Sequence, residues 1–344
     1  FAMECYLSRN YKETNSAGNK AKTDMEAIMR AMGLHDVGLP QSHYRDTVRH
    51  FLFTLASVLK SPFCLGRGDA LVLQYPLKKY YELVCDMAHV RGARVVTLIH
   101  DLGSFRRKAL SVEREIRRLN HSDVVIAHNE SMLRWLRDNG CRSRLLTLGI
   151  FDYLSPADIS PLPMPEGPYT VVYAGGLSQK KNAFLYQLGN VVKDCKVRLY
   201  GGGFDIQRAA HPECFEQMGF VPSNQLIATA SGHFGLVWDG DSLDACSGDM
   251  GEYLRYNNPH KTSLYIRCHL PIIIWKQAAL APFVSQRGIG LCVDSLREIE
   301  PAISALTPER YAEMRHRVEE LSLQLSQGHF FREALGKAFS YLRQ

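Results

Sequence analysis

The sequence predicts an α/β fold built as two doubly wound domains in one chain. Short apolar runs alternate with amphipathic helical patterns through both halves, which implies parallel sheets covered on both faces. A proline-rich segment poor in apolar residues separates the halves. The 344 residues also exceed what one hydrophobic core usually serves.

In the first half, Ala70-Leu71-Val72-Leu73-Gln74-Tyr75 reads as a strand. Tyr80 to Arg91 is helical in pattern and stops at Gly92. Arg94 to Asp101 is a second strand ending in polar residues, Ser111 to Leu119 a charged helix, and Asp123 to His128 a third strand. Ser131 to Asn139 is a helix closed by Gly140. The break holds Pro156, Pro161, Pro163, Pro165 and Pro168. Beyond it, Tyr169 to Ala174 is a strand, Ala183 to Val192 a helix, and Lys196 to Tyr200 a strand before Gly201-Gly202-Gly203. His233 to Trp238 is a strand, Lys261 to Cys268 a helix, and Leu270 to Trp275 and Gly290 to Val293 the last strands. Thr307-Pro308 opens a long helix, with Thr as N-cap and Pro at the first position. Phe330 to Leu342 is the final helix. The boundaries that follow are 3–154 for the first domain, 155–168 for the linker, 169–326 for the second domain and 327–344 for a C-terminal helix that can pack back on the first.

Composition excludes several classes. No apolar run approaches the length that spans a bilayer; Phe51 to Leu59 is too short and contains Thr54 and Ser57. Phe1-Ala2 before Met3 reads as a tag remnant, and Glu4 stands where a secretory peptide would be basic, so no signal peptide is expected. Nine scattered cysteines without a Cys-x-x-Cys pair point to reduced thiols in a cytoplasmic protein, not to a disulfide scaffold or zinc site.

Charge is unevenly shared: residues 1–150 carry 23 Lys+Arg against 15 Asp+Glu, net +8, and residues 151–344 carry 18 against 20, net −2. The basic half fits an anionic surface or ligand, or simply a solvated basic face. Arg106-Arg107-Lys108 is followed by Arg114, Arg117 and Arg118 on one helical face. With Phe51, Leu52, Phe53 and Leu55 this half can rest on the inner face of an anionic membrane as a peripheral contact. Glu113 and Glu115 support the alternative of a solvated charged helix. Nucleic acid is not expected, because the arginines lack interleaved aromatics.

Three loops carry the chemistry. Tyr256-Asn257-Asn258-Pro259-His260-Lys261 is a polar loop that opens a helix. The amides of a first helical turn favour an anion, and Lys261 adds a full charge there. Asn258 donates hydrogen bonds without a competing negative charge. Gly175-Gly176-Leu177-Ser178-Gln179-Lys180-Lys181 and Gly201-Gly202-Gly203 each follow a strand and let backbone approach a ligand closely. Each loop also has an ordinary reading, a helix cap or tight turn with solvated lysines. None matches the Walker pattern, and none is a full Gly-x-Gly-x-x-Gly with a trailing acid, so a nicotinamide cofactor is not indicated. Asp239-Gly240-Asp241 is the nearest approach to an Asp-x-Asp metal motif and reads better as a turn than as a chelate. No metal site is expected.

The order Gly235 to Gly240, Tyr253 to Lys261, Ser263-Leu264-Tyr265, Leu270-Pro271-Ile272 and Gly288-Ile289-Gly290 resembles the C-terminal half of a bacterial sugar-transferase family. That family includes the glucosyltransferase 3-like enzymes of adhesin glycosylation and the β-1,6-galactofuranosyltransferases. The resemblance runs over most of the chain and is specific between Tyr169 and Val293. It implies two Rossmann-like domains facing a central cleft, the GT-B type, with the nucleotide diphosphate of the donor in the second. By motif it assigns Lys180 or Lys181, Gly201 and Tyr200 to the donor, Tyr200 stacking on uracil, and Asn258 and Lys261 to the diphosphate. The family has an element similar to His100-Asp101, here at a carboxyl strand end. An inverting transfer needs a base, for which Asp101 is the first candidate, His100 the second and Glu13 the third. Asp101 also reads as the cap of the next turn. Gly18 and Lys20, in the loop Thr14 to Asp24, can meet the donor phosphate or an anionic acceptor.

The expected protein is therefore a cytoplasmic, metal-independent glycosyltransferase needing no cofactor besides its UDP-sugar donor. It would take a glycan, glycoprotein or lipid-linked glycan as acceptor, and a homo-oligomer is expected. A nucleotide-sugar-binding or scaffold protein without catalysis is the alternative.

Overall fold

The apolar runs of the first half become the centre of a parallel sheet. In the computed structural model, which describes residues 2–12, 16–106, 110–157 and 168–344, β1 (Glu4–Tyr6), β2 (His35–Asp36), β3 (Ala70–Tyr75), β4 (Arg94–Ile99), β5 (Val124–Ala127) and β6 (Arg144–Thr147) lie in the order β2-β1-β3-β4-β5-β6. All pairings are parallel. Every residue of β3 and β5 is buried, as a strand covered on both faces requires. Glu13, Arg107, Lys108, Pro161, Pro163 and Pro165, named above, lie outside the described residues.

The second sheet has the same design. β7 (Thr170–Ala174), β8 (Lys196–Tyr200), β9 (Phe215–Gly219), β10 (Phe234–Val237), β11 (Ile272–Trp275) and β12 (Gly290–Val293) lie in the order β12-β11-β10-β7-β8-β9, again all parallel. The α/β class with two parallel, helix-flanked sheets is thus as the sequence reads. By contacts the chain forms two compact units, Phe1–Asp152 with Gly328–Gln344, and Tyr153–Gln327.

Helix starts follow their caps. Ser111, Asn129 and Thr307 accept from the amides of Arg114, Met132 and Arg310, and Pro308 occupies the first position of Pro308–Ser326. Ser16 caps Ala17–Ala31 in the same way, so Gly18 and Lys20 sit in the first turns of a helix and not in a loop. In the first unit, the buried carboxylate of Asp152 accepts from the amides of Phe330 (3.2 Å) and Phe331 (2.7 Å) at the start of His329–Leu342. Burial still pushes Asp152 up to about 7, because desolvation outweighs those two bonds.

The helix expected over Ala183 to Val192 is broken. Short helices span Gln179–Asn182 and Leu185–Leu188, and the Phe184 amide donates to Gly240 O (3.2 Å). The chain between them is claimed by the loop after β10.

Candidate functional site

Each sheet has a point where its strand order reverses. In the second unit the chain runs outward from β7 through β8 to β9, then returns to place β10 on the other side of β7. Loops leaving β7 and β10 diverge, and such a crevice at the carboxyl strand ends is where open α/β sheets hold ligands.

Helix His260–Arg267 is anchored at that crevice. Tyr265 crosses β10 at Gly235, where a Cβ would come within 2.3 Å of the ring, so only glycine fits. Its hydroxyl accepts from the amide of Ala174, the last residue of β7, at 2.8 Å. The N-cap position of the helix is Pro259, which supplies no side-chain cap. Asn258 is buried beside it. Among the described residues, Asn257 Oδ1 and Thr262 Oγ1 are buried there without a hydrogen-bond partner. The Thr262 hydroxyl, a donor at an uncapped helix start, suits an anionic ligand, and Asn257 Oδ1, which only accepts, suits a ligand hydroxyl or N–H.

Lys261 is the centre of a buried network. Its Nζ donates to Tyr173 Oη (2.7 Å) and to Asp239 Oδ1 (3.2 Å), and it lies 4.1 Å from the Tyr173 ring centroid. The Tyr173 hydroxyl has one proton and three acceptors in reach: Asn182 Oδ1 and Trp238 O at 2.8 Å and Asp239 Oδ1 at 3.0 Å. Lys181 Nζ is 3.9 Å from the same Asp239 oxygen. Burial pushes Lys261 down to about 8; Asp239 opposes the drop and Lys181 adds to it. With its side chain only 11% exposed, this lysine is a poised cation and not a solvated one.

The two glycine loops lie side by side. Gly175 N donates to Tyr200 O and Leu177 N to Gly202 O, both at 2.9 Å, and a Cβ on Gly201 would sit 1.9 Å from Gly175 O. Gly175, Gly176, Gly202 and Gly203 are exposed, so the loops offer open backbone. Lys180 is exposed at the same edge. Tyr200 is placed differently from the stacking role given to it: it is 5% exposed, with its hydroxyl beside Ser231 and Arg198. A covered ring has no free face for a base. Asp239 turns one carboxylate oxygen, Oδ1, toward Lys261 (3.2 Å), Tyr173 Oη (3.0 Å) and Lys181 (3.9 Å). Asp241 accepts from the Ser247 hydroxyl.

In the first unit the reversal lies between β1 and β3. Arg9, just past β1, forks onto Gln74 O and Pro76 O, both at 2.9 Å. Lys20 pairs with Asp24 on the following helix, and Gly18 is exposed with open space around it. Glu26, fully buried, accepts from Tyr11 Oη (2.6 Å) and Ser8 Oγ (2.8 Å), and desolvation pushes it up to about 7.

His100 and Asp101 follow β4. His100 Nε2 donates to Gln74 Oε1 (2.6 Å) and its ring stacks on Phe151 at 5.4 Å. The turn after half-buried Asp101 is held by the buried Glu115 carboxylate, which accepts from the amides of Gly103 (2.8 Å) and Ser104 (2.9 Å) and from Tyr75 Oη (2.9 Å). His128, beneath Phe151, gives its Nε2 proton to Ile99 O (2.9 Å); burial pushes it down to about 4, so it is neutral. Glu13 lies outside the described residues. Sequence reasoning missed Arg9, Tyr173 and Glu115, and missed Asp239 as a partner of Lys261. The signal available for Tyr173 was a hydroxyl at the end of an otherwise apolar strand; Arg9 belongs to no pattern.

Comparisons with known proteins match both halves of the chain. The glucosyltransferase 3-like N-terminal domain model matches residues 4–150, and the corresponding C-terminal domain model matches residues 171–338. The chain is 32% identical over 292 residues to the β-1,6-galactofuranosyltransferase WbbI of Escherichia coli (strain K12), covering 84% of this chain and 85% of that protein. It is 25% identical over 324 residues to glucosyltransferase 3 of Streptococcus gordonii, covering 92% of each. Among solved structures, Anabaena Alr3699/HepE in complex with UDP-glucose superposes with a TM-score of 0.60 at 12% identity, over 98% of this chain and 100% of that one. A UDP-forming α,α-trehalose-phosphate synthase from Burkholderia vietnamiensis gives 0.60 at 10% identity, over 99% and 98%. At such identities these two show the fold, which is the GT-B fold.

Proposed function

The chain belongs to the glucosyltransferase 3-like family and is a glycosyltransferase, and on that premise we propose that it moves a hexose or galactofuranose from a UDP-sugar to a sugar hydroxyl, with inversion and without a metal. The observation that carries the donor reading is Lys261, a buried cation at an uncapped helix start on the crevice edge of the second sheet. The donor diphosphate takes that helix start, with Lys261, Asn258 and the lysines at 180 and 181 around it and the glycine loops of Gly175 and Gly201 offering backbone amides. As the bond from the anomeric carbon to the β-phosphate oxygen breaks, charge grows on that oxygen, and Lys261 stabilises it in place of a metal.

The base is assigned to Asp101, which takes the acceptor hydroxyl proton as that oxygen attacks the anomeric carbon. His100, fixed by Gln74 and Phe151, has a side-chain position suited to orienting the acceptor. Arg9 lies where the first sheet reverses, and the open backbone at Gly18 together with Lys20, once released from Asp24, would suit an anionic group on the acceptor or donor. The acceptor class is a glycan, glycoprotein or lipid-linked glycan. Metal independence is supported by Asp239 Oδ1 being engaged by Lys261 and Lys181.

The test is UDP release from UDP-galactose, UDP-galactofuranose and UDP-glucose, with and without EDTA. Release from one of them, unaffected by EDTA, is expected. Release from none would remove the donor assignment, and loss in EDTA restored by Mn²⁺ would redirect attention to Asp239 and Asp241.

A further inference from the structure

Helix Thr47–Lys60 of the first unit is unusual in what it leaves uncovered. Of its 14 residues only Ser57 and Val58 are buried. Its inner side is fixed: His50 Nδ1 meets Asn10 Nδ2 at 2.8 Å, and Ser57 Oγ accepts from the Leu39 amide at 3.0 Å. Val48, Leu52, Leu55 and Leu59 recur at the i, i+4, i+7 and i+11 spacing of one helical stripe. Val48, Leu52 and Leu59 of that stripe face outward, 63%, 56% and 52% exposed, with Leu55 half-buried between them, and Phe63 just beyond the helix is 86% exposed. A contiguous apolar stripe left in water normally has a partner.

The flanks say which kind. Arg49 and Lys60 lie along one side, and Lys60 Nζ is pinned to Gly38 O at 2.6 Å. On the other side Lys79 Nζ stands 4.8 Å from the Phe51 ring centroid. The helix itself contains no Asp or Glu, and Asp46 ahead of it is committed to the Arg49 amide. A second copy packed on this stripe would set basic flanks against basic flanks, because a two-fold interface meets itself. An anionic surface meets both features at once.

We propose that helix Thr47–Lys60, with Phe63, is the surface by which the first unit lies on an anionic bilayer. The stripe enters the boundary between headgroups and acyl chains, and Arg49 and Lys79 meet lipid phosphates. At 14 residues the helix lies in the interface and does not span it. The proposal stands apart from the donor reading, since binding needs no nucleotide.

The test is co-sedimentation of the full chain with phosphatidylcholine vesicles, with and without phosphatidylglycerol. Wild type should pellet only with phosphatidylglycerol present and be released by added salt. Leu52→Glu combined with Leu59→Glu should abolish pelleting with an unchanged thermal melt. Arg49→Gln, a milder change on an exposed side chain, should weaken partitioning roughly fivefold, as expected for one basic residue near the surface. Failure of wild type to pellet would overturn the proposal. So would equal pelleting of both variants, or a wild-type dimer that ignores vesicles and becomes monomeric in the double variant.

Discussion

Replacing Lys261 by Met keeps the aliphatic stem and removes the charge. In the free protein the lost Nζ takes with it hydrogen bonds to Tyr173 Oη at 2.7 Å and Asp239 Oδ1 at 3.2 Å. Asp239 is 5% exposed, so its carboxylate cannot turn to bulk water. It keeps the Tyr173 hydroxyl at 3.0 Å and Lys181 at 3.9 Å, so it is not left fully uncompensated. The expected loss of stability is therefore about 1–3 kcal/mol, the cost of an incompletely satisfied buried polar group, and below that of a broken buried pair. The effect on binding is separate. One charge-assisted hydrogen bond to a phosphate contributes about 1.5–3 kcal/mol, a factor of roughly 10 to 150 in Kd. Because Lys261 also serves Asp239 and Tyr173, the lower half of that range is expected. The assay is calorimetric titration with UDP, on protein whose thermal melt is still cooperative. A cooperative melt with unchanged UDP affinity would refute the reasoning, because the cation at the helix start would then not touch the diphosphate.

Three further outcomes follow from the same geometry. Lys261 is pushed down to about 8, and a diphosphate favours its charged form, so affinity for a UDP-sugar should be full below pH 8 and fall as pH rises through it, while Lys261→Met should show no such fall. Asp101→Asn should lower kcat by ~10²–10⁴-fold while leaving donor affinity nearly intact; a wild-type rate would make Asp101 a turn residue only. Glu26 is raised to about 7 by burial, so the folded state holds a proton that the unfolded chain has already lost; its own contribution to stability should decline as pH rises from about 4.5 to 7, so the stability of wild type relative to Glu26→Gln should fall between thermal melts at pH 5 and pH 7.

What the sequence revealed and what it hid have physical reasons. β3, β4, β5 and β7 are apolar runs between turn signals, and burial on both faces makes such runs conspicuous, whereas β8 shows instead by the alternation of Lys196 and Arg198 with Val197 and Leu199. β2, β6 and β9 escaped because edge strands are short or polar: β9 is Phe-Glu-Gln-Met-Gly. The break in the helix after Gly175-Gly176 depends on Gly240 O, more than fifty residues away, which no local pattern encodes. The helix start at Asn258 and Lys261 was legible because proline, lysine and a polar loop coincide there. The pairing of Lys261 with Asp239 and Tyr173 was not, since it exists only once β10 lies against β7. Tyr200 was misjudged because a tyrosine before glycines looks available, whereas its place in β8 buries the ring.

The central claim is that the donor diphosphate sits where β7 and β10 diverge, on Lys261. A crystal structure of the protein grown with UDP tests this most directly. Phosphate density is expected at the start of His260–Arg267, within hydrogen-bond distance of Lys261 Nζ. UDP bound with its phosphates away from that helix start, and Lys261 still closed on Asp239 and Tyr173, would contradict it.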